Sequence, residues 1–226
     1  MKAFLIVGPP GSGKSPLGDY LEKQSLPGKR FWHFDFGRLL REIIKPEEAA
    51  KNEAGAAEPE PGASAAKEEV FNLTELARVR QSLQTSSLFE EGDKELVRKI
   101  FRFYLSRSGV GPDDIIILNG LPRHRAQVAW LQDLVKIVLV INLDCPEELA
   151  VRRILANLDG ERQGREDDRL EVIVRRYRLY LEKTGPLVDF LRQSGLPVIE
   201  LQVERETRPE TLWKKLQANP EFQKLL

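Results

Sequence analysis

Cysteine is nearly absent from this sequence. Its 226 residues include one, Cys145, so the chain can neither close a disulfide on itself nor build a multi-cysteine zinc site. That scarcity fits a reducing compartment. Histidine is almost as rare, with two residues, His33 and His124. No spacing of His, Cys, Asp or Glu reads as a metal-ligand cluster or a nucleophilic triad. Long apolar runs are also missing. Residues 3–7 follow Lys2 like the start of a signal peptide, but the run stops at Gly8-Pro9-Pro10-Gly11. It is too short for a membrane helix and has no small-residue cleavage site. A cytoplasmic protein with no membrane partner is expected. Finally, neither sign of charge dominates: 35 Lys and Arg balance 35 Asp and Glu. That balance argues against a nucleic-acid-binding surface.

What is present points to one domain of moderate size with a substantial core. Five short apolar runs, 3–7, 31–34, 115–118, 137–143 and 198–201, read as strands. Each is nearly continuous rather than alternating, the pattern of a parallel sheet covered on both faces. Helical periodicity fills the intervals 14–24, 37–44, 73–83, 94–106, 125–134, 146–157 and 170–193. A further helix is announced by Thr207 and Glu210, a capping-box pair before Leu212, Trp213 and Leu216. Alternating strands and helices define an α/β, doubly wound, five-stranded parallel sheet. Trp130 and Trp213 occupy apolar helix positions and read as core, and Cys145 reads as a packing residue. His33 reads as a core or strand-end residue and His124 as a cap for the helix that follows it.

Residues 46–69 break the pattern. They hold eight Ala, seven Glu, three Pro and two Lys, with no aromatic or branched aliphatic side chain and a local charge of −5. Such a stretch cannot bury enough apolar surface to offset its ordering entropy. It reads as a flexible acidic insert within the domain. The other 202 residues then carry +5, an excess suited to a polyanionic small substrate.

The sharpest motif is Gly8-Pro9-Pro10-Gly11-Ser12-Gly13-Lys14-Ser15, a full match to G-x-x-x-x-G-K-[ST] between a strand and a helix. Glycines let successive backbone N–H groups converge on phosphate oxygens, and the helix N-terminus adds partial positive charge. Lys14 would reach the β- and γ-phosphates, and the Ser15 hydroxyl would serve Mg²⁺. By itself this motif signifies nucleoside triphosphate binding and no more.

Three further stretches narrow the class. Asp35-Phe36-Gly37-Arg38-Leu39-Leu40-Arg41 follows the second strand. Asn119-Gly120-Leu121-Pro122-Arg123, with Gln127 four residues on, follows the third. Gly164-Arg165-Glu166-Asp167-Asp168 precedes an Arg-rich helix ending Thr184-Gly185-Pro186-Leu187. In this order and spacing they resemble the adenylate kinase family of nucleoside monophosphate kinases, in its short-lid form. The resemblance implies a single P-loop kinase domain over 1–226, a mobile acceptor-binding segment at 36–107 and a short lid at 158–168. It implies ATP and a nucleoside monophosphate as substrates, AMP foremost, Mg²⁺ as cofactor, and a monomer. Carried over by position, the phosphate loop with Gly8, Pro10, Gly11, Ser12, Gly13, Lys14 and Ser15 would bind ATP, and Arg153 would lie near the donor adenine. Arg41 and Arg123 would hold the acceptor phosphate, with Asp35, Phe36, Gly120 and Gln127 around the acceptor and Gln127 facing its base. Arg165 and Arg176 would reach the transferring phosphoryl, and Asp167 and Asp168 would help close the lid. Arginine suits these tasks because its planar fork binds phosphate bidentately. Arg152, Arg169, Arg175 and Arg178 read instead as solvated.

The sequence departs from the family pattern in three places. Ser15-Pro16 stands where Gly-Thr is usual, and Pro16 is tolerated in a first helical turn. Asn119 replaces the Asp that normally orients Mg²⁺, leaving Asp35 as a substitute if it lies near the metal. Asp35-Phe36 replaces Ser-Thr, which removes a hydroxyl from the acceptor side. Two alternatives therefore stay open: a kinase of small hydroxyl substrates with Asp35 as base, and a nucleotide-binding module without turnover.

Overall fold

The structure, a computed structural model, describes residues 1–26, 28–52, 70–156 and 170–225. The first half of the chain runs β1 (Lys2–Val7), α1 (Lys14–Glu22), β2 (Ser25–Leu26), β3 (Lys29–Asp35), α2 (Phe36–Asn52), α3 (Leu73–Thr85) and α4 (Lys94–Arg107). The second runs β4 (Ile115–Asn119), α5 (Arg125–Leu131), β5 (Lys136–Asp144), α6 (Glu147–Ala156), α7 (Leu170–Leu179), α8 (Gly185–Gln193), β6 (Val198–Gln202), α9 (Pro209–Gln217) and α10 (Pro220–Gln223).

Strand β1 shows why the strand sequences are continuously apolar. It is buried from Ala3 onward. Ala3, Leu5 and Val7 enter one apolar layer, while Phe4 and Ile6 enter another. Strand β4 divides in the same way, with Ile116 and Leu118 in the first layer and Ile115 and Ile117 in the second. Helices α2, α3, α4, α5 and α8 cover the first layer; α1, α6, α7, α9 and α10 cover the second. The sheet order is β2-β3-β4-β1-β5-β6, and every pairing among β1, β3, β4, β5 and β6 is parallel. These are the five expected strands. The added β2 pairs antiparallel with β3 at the sheet edge, over two residues too short to leave a sequence signal. Neighbours of β1 on either side come from later in the chain, so the loop after β1 lies where the winding reverses, the usual ligand crevice of such sheets.

Several boundaries differ from expectation for local reasons. The expected helix 170–193 is interrupted by a π-helical turn at Tyr180–Thr184 just ahead of Gly185-Pro186. Proline offers no N–H to the preceding ladder, which forces the wider turn. Thr207 does not cap α9, because Pro209 sets the first helical position and Arg208 becomes the N-cap; the Thr207 hydroxyl instead accepts from the Glu204 N–H at 2.8 Å. His124 is the N-cap residue of α5 but makes no side-chain cap bond; its Nε2 lies 3.0 Å from the Phe89 carbonyl oxygen. Helix α2 continues to Asn52, into the segment expected as flexible, and residues 53–69 of that insert lie outside the described residues. Trp130, Trp213 and Cys145 are buried, as expected, and burial pushes the Cys145 thiol up to about 11. None of the described helices is long and apolar enough to cross a membrane.

Candidate active site

The phosphate loop connects β1 to α1, and its glycines are required by what surrounds them. Gly11 has φ +80°, and a Cβ there would lie 2.6 Å from the Ala150 carbonyl oxygen and 2.9 Å from Ile154. Helix α6 therefore presses directly on the loop. Arg153, from the same helix and buried, donates from Nε to the Gly11 carbonyl at 3.0 Å. Its Nη1 donates to the carbonyls of Glu204, Arg205 and Thr207 at 2.9, 2.9 and 3.2 Å. Arg153 thus ties the phosphate loop to the segment between β6 and α9. Lys14 folds back over the loop, its Nζ donating to the carbonyls of Gly8 at 2.8 Å and Pro9 at 2.7 Å. Helix α1 begins at Lys14, so Pro16 sits in its first turn.

Beside Ser15 the ends of β3 and β4 meet. Asp35 and Asn119 are register partners in the parallel ladder. The Ser15 hydroxyl donates to Asp35 Oδ2 at 2.5 Å, and Asn119 Nδ2 lies 3.0 Å from the same oxygen and 3.1 Å from Ser15 Oγ. The second carboxylate oxygen accepts from the Arg38 backbone N–H at 2.9 Å. Burial opposes charge on Asp35, but the Ser15 hydroxyl, nearby positive charge and the Arg38 N–H outweigh it and hold the carboxyl below its ordinary range. Asp35 is therefore an anion at neutral pH. Behind it, His33 Nδ1 lies 2.7 Å from Asp19 Oδ1, and Arg38 grips Asp19 with both terminal nitrogens at 2.9 and 2.7 Å. Gly18 permits this arrangement, since a Cβ there would lie 2.2 Å from His33 Nε2. Glycine inside α1 costs about 1 kcal/mol of helix propensity, and the packing of the His33 ring explains its presence.

A cleft runs from the phosphate loop toward α2 and α3 in two joined chambers. The first is bounded by Gly8, Lys14, Ser15, Asp35 and Asn119, with Tyr180 and Thr184 from the π turn on the far wall. The second is bounded by Phe36, Leu40, Leu83, Phe89 and Gln127. Arg41, Arg123 and Arg176 line both and so stand at the junction. Burial, then the positive charge of Arg176, pushes Arg123 down to about 10, while Asp35 acts in the other direction. It remains a cation at neutral pH. Two like charges brought together in a cleft favour an anionic ligand there.

Gln127 is buried, with both ends of its amide engaged by backbone. Oε1 accepts from the Arg123 N–H at 2.7 Å, and Nε2 donates to the Phe89 carbonyl at 2.9 Å. It holds Arg123 in place and borders the second chamber. Phe36 is buried in the first apolar layer, edge-on to Phe89 with ring centroids 5.4 Å apart. Gln127→Leu is expected to leave the Arg123 N–H without its acceptor, at about 1–3 kcal/mol, while the Phe89 carbonyl keeps His124 Nε2 at 3.0 Å. A lowered thermal midpoint together with weakened acceptor binding, at unchanged ATP affinity, is the expected pairing of results.

The structure thus brings together Gly8, Pro10, Gly11, Gly13, Lys14, Ser15, Asp35, Arg41, Asn119, Gly120, Arg123 and Arg176 around the first chamber. Phe36 and Gln127 border the second, and Ser12 is buried beneath the loop. Arg153 lies against the loop rather than in the cleft lining. Arg165, Asp167 and Asp168 lie outside the described residues. Arg152, Arg175 and Arg178 are exposed, as expected of solvated arginines. Motif reading quoted Arg38 and Thr184 without giving either a role at the site, and it passed over Asp19, Ser86 and Tyr180, which no short pattern marks because each reaches the site through the fold.

A phosphate loop at the switch point of a parallel sheet, facing a cationic second chamber, defines the chain as a P-loop nucleotide-binding protein of the α/β class. Its residues 5–173 match the protein family described as an AAA domain. The adenylate kinase of Prochlorococcus marinus strain MIT 9211 is 30% identical over 220 residues, covering 92% of this chain and 92% of that protein. The adenylate kinase of Porphyromonas gingivalis is 29% identical over 87% of this chain and 85% of its own. That of Thermotoga petrophila is 26% identical over 87% of this chain and 88% of its own. The chain belongs to the adenylate kinase family.

Proposed function

We propose that this chain transfers the γ-phosphoryl group of ATP to a nucleoside monophosphate, AMP foremost, giving ADP and a nucleoside diphosphate. The observation that carries the reading is the junction of Arg41, Arg123 and Arg176 between two chambers, one of them walled by the phosphate loop. In this reading the donor triphosphate lies on the loop N–H groups at the start of α1, and Lys14 exchanges its carbonyl partners for phosphate oxygens. Arg41 and Arg123 hold the acceptor phosphate, and its oxygen attacks the γ-phosphorus in line as the bond to the β–γ bridging oxygen breaks. Arg176 neutralises the transferring group, joined by Arg165 from the lid at 158–168, with Asp167 and Asp168 helping it to close. Gln127 borders the base, and Arg153 supports the donor side. The acceptor segment spans 36–107 within one domain, and the protein acts as a cytoplasmic monomer.

Ser15 and Asp35 offer a hydroxyl and a carboxylate, oxygen donors that fit Mg²⁺, a hard cation that shares its shell with waters and phosphates; Asn119 turns its amide nitrogen to both and braces them. When bound, Mg²⁺ would neutralise charge developing on the phosphates. Asp35 supplies the single carboxylate of that set, from the strand next to the one where the family pattern expects it.

The same geometry bears on the hydroxyl-kinase alternative. Both Asp35 oxygens already accept bonds, from Ser15, Asn119 and the Arg38 N–H, which stabilise the anion and weaken it as a base. A coupled ADP-release assay over AMP, GMP, CMP, UMP and dTMP tests the kinase reading. AMP is expected to stimulate most, and no stimulation by any of the five would overturn it.

A further inference from the structure

Ser86 has a left-handed backbone, φ 58°, alone among the described residues other than glycine. It forms the C-cap of α3. Glycine is the usual occupant of such a position, and asparagine the next, because a Cβ crowds the following carbonyl. The serines beside it are occupied with local structure. Ser82 is buried and its hydroxyl donates to the Ser87 carbonyl at 2.8 Å. The Ser87 hydroxyl accepts from Thr85 Oγ1 at 3.0 Å. The Ser86 hydroxyl takes no part in these bonds. Instead Ser86 lines both chambers of the cleft, as Arg41, Arg123 and Arg176 do. A serine where the backbone favours glycine, set beside three phosphate-seeking arginines, is strain maintained at a ligand site.

We infer that Ser86 is an acceptor-binding residue whose hydroxyl hydrogen-bonds an oxygen of the sugar–phosphate part of the nucleoside monophosphate. The inference rests on the kinase reading above. Its place at the junction, among the arginines, directs the contact to that part of the acceptor. Phe36, Leu40, Leu83 and Phe89 line the second chamber only, where the base would lie. Every nucleoside monophosphate carries a sugar and a phosphate, so the contact strengthens binding without selecting the base.

Two substitutions separate hydroxyl from strain. Ser86→Ala removes the hydroxyl and keeps the Cβ; Ser86→Gly removes both. Each is expected to raise the acceptor KM about fivefold, the effect of one neutral hydrogen bond, with the ATP KM unchanged. The increase should be the same factor for AMP and for the second-best acceptor of the wild type. Ser86→Gly should also melt about 2–4 °C above Ser86→Ala, as relief of roughly one unit of left-handed strain predicts for a chain of this size. An unchanged acceptor KM in both variants overturns the assignment. So does an increase that differs between acceptor bases, which would make the hydroxyl a base reader. Equal melting of the two variants removes the strain argument. If the wild type phosphorylates no nucleoside monophosphate, the kinase reading falls and this inference with it; a competent wild type with insensitive variants overturns this inference alone.

Discussion

Lys14→Met is expected to lower phosphoryl transfer by about a thousandfold, the upper range for losing one preorganised charge partner of a transition state. Methionine keeps the length and apolar stem of the side chain but has no ammonium group. In the structure that ammonium group rests on the Gly8 and Pro9 carbonyls, within the loop that would receive the triphosphate. It is therefore stored at the site without any need to recruit it from solvent. The fold should survive, because Gly8 borders the cleft, where water can replace the ammonium. The measurements are the coupled assay with AMP and a thermal melt by circular dichroism. Loss of transfer with an unchanged melt is the expected pairing; activity within tenfold of wild type would contradict the role given to Lys14.

The second large effect concerns the acid beside Ser15. Asp35→Asn is expected to lower transfer at least a hundredfold and to raise the Mg²⁺ concentration needed for tight ATP binding, read by titrating a fluorescent ATP analogue. The instructive variant is the exchange Asp35→Asn with Asn119→Asp. The two residues are register partners on adjacent strands, and both side chains already lie within 3.1 Å of Ser15 Oγ. Moving the carboxylate across the ladder keeps one anion beside the hydroxyl, so the exchange should recover at least tenfold of the loss. If Asp35 served as the base of a small-hydroxyl kinase, the exchange would not rescue, because the acid would then point from the wrong strand. Failure of Asp35→Asn to alter the Mg²⁺ requirement would count against the metal role.

Much of this architecture was legible because it rests on local rules. The strands declare themselves by continuous apolar runs, since each must serve two layers, and the phosphate loop by glycines that backbone crowding from α6 demands. The ordered arginines pointed to the junction of the two chambers, where Arg41, Arg123 and Arg176 meet. What escaped was set by contacts far apart in the chain. The location of Asp35 relative to Ser15 depends on how α1 lies against β3, which no spacing rule reports. The same holds for His33, which reads as an ordinary core histidine until Asp19 and Arg38 are seen beside it. His124 and Thr207 show the reverse error: each has the chemistry of a helix cap and lies at or next to the N-cap, yet the distant Phe89 carbonyl engages the one and the Glu204 N–H, three residues back, engages the other. Ser86 carries no signal at all, because its meaning lies in a backbone angle.

The position of β1 at the centre of the sheet has a consequence for how the protein is made. Its neighbours are β4, beginning at Ile115, and β5, beginning at Lys136. At about 5–20 residues per second, a ribosome needs roughly 5–20 s to supply the first of them. During that interval a strand apolar from Ala3 to Val7 leaves the tunnel without its two sheet neighbours. The phosphate loop is completed later still, because Arg153 braces it against carbonyls at Glu204, Arg205 and Thr207. Nucleotide affinity is thus a property of the finished chain, and truncated nascent fragments should bind ATP poorly although they contain the whole motif.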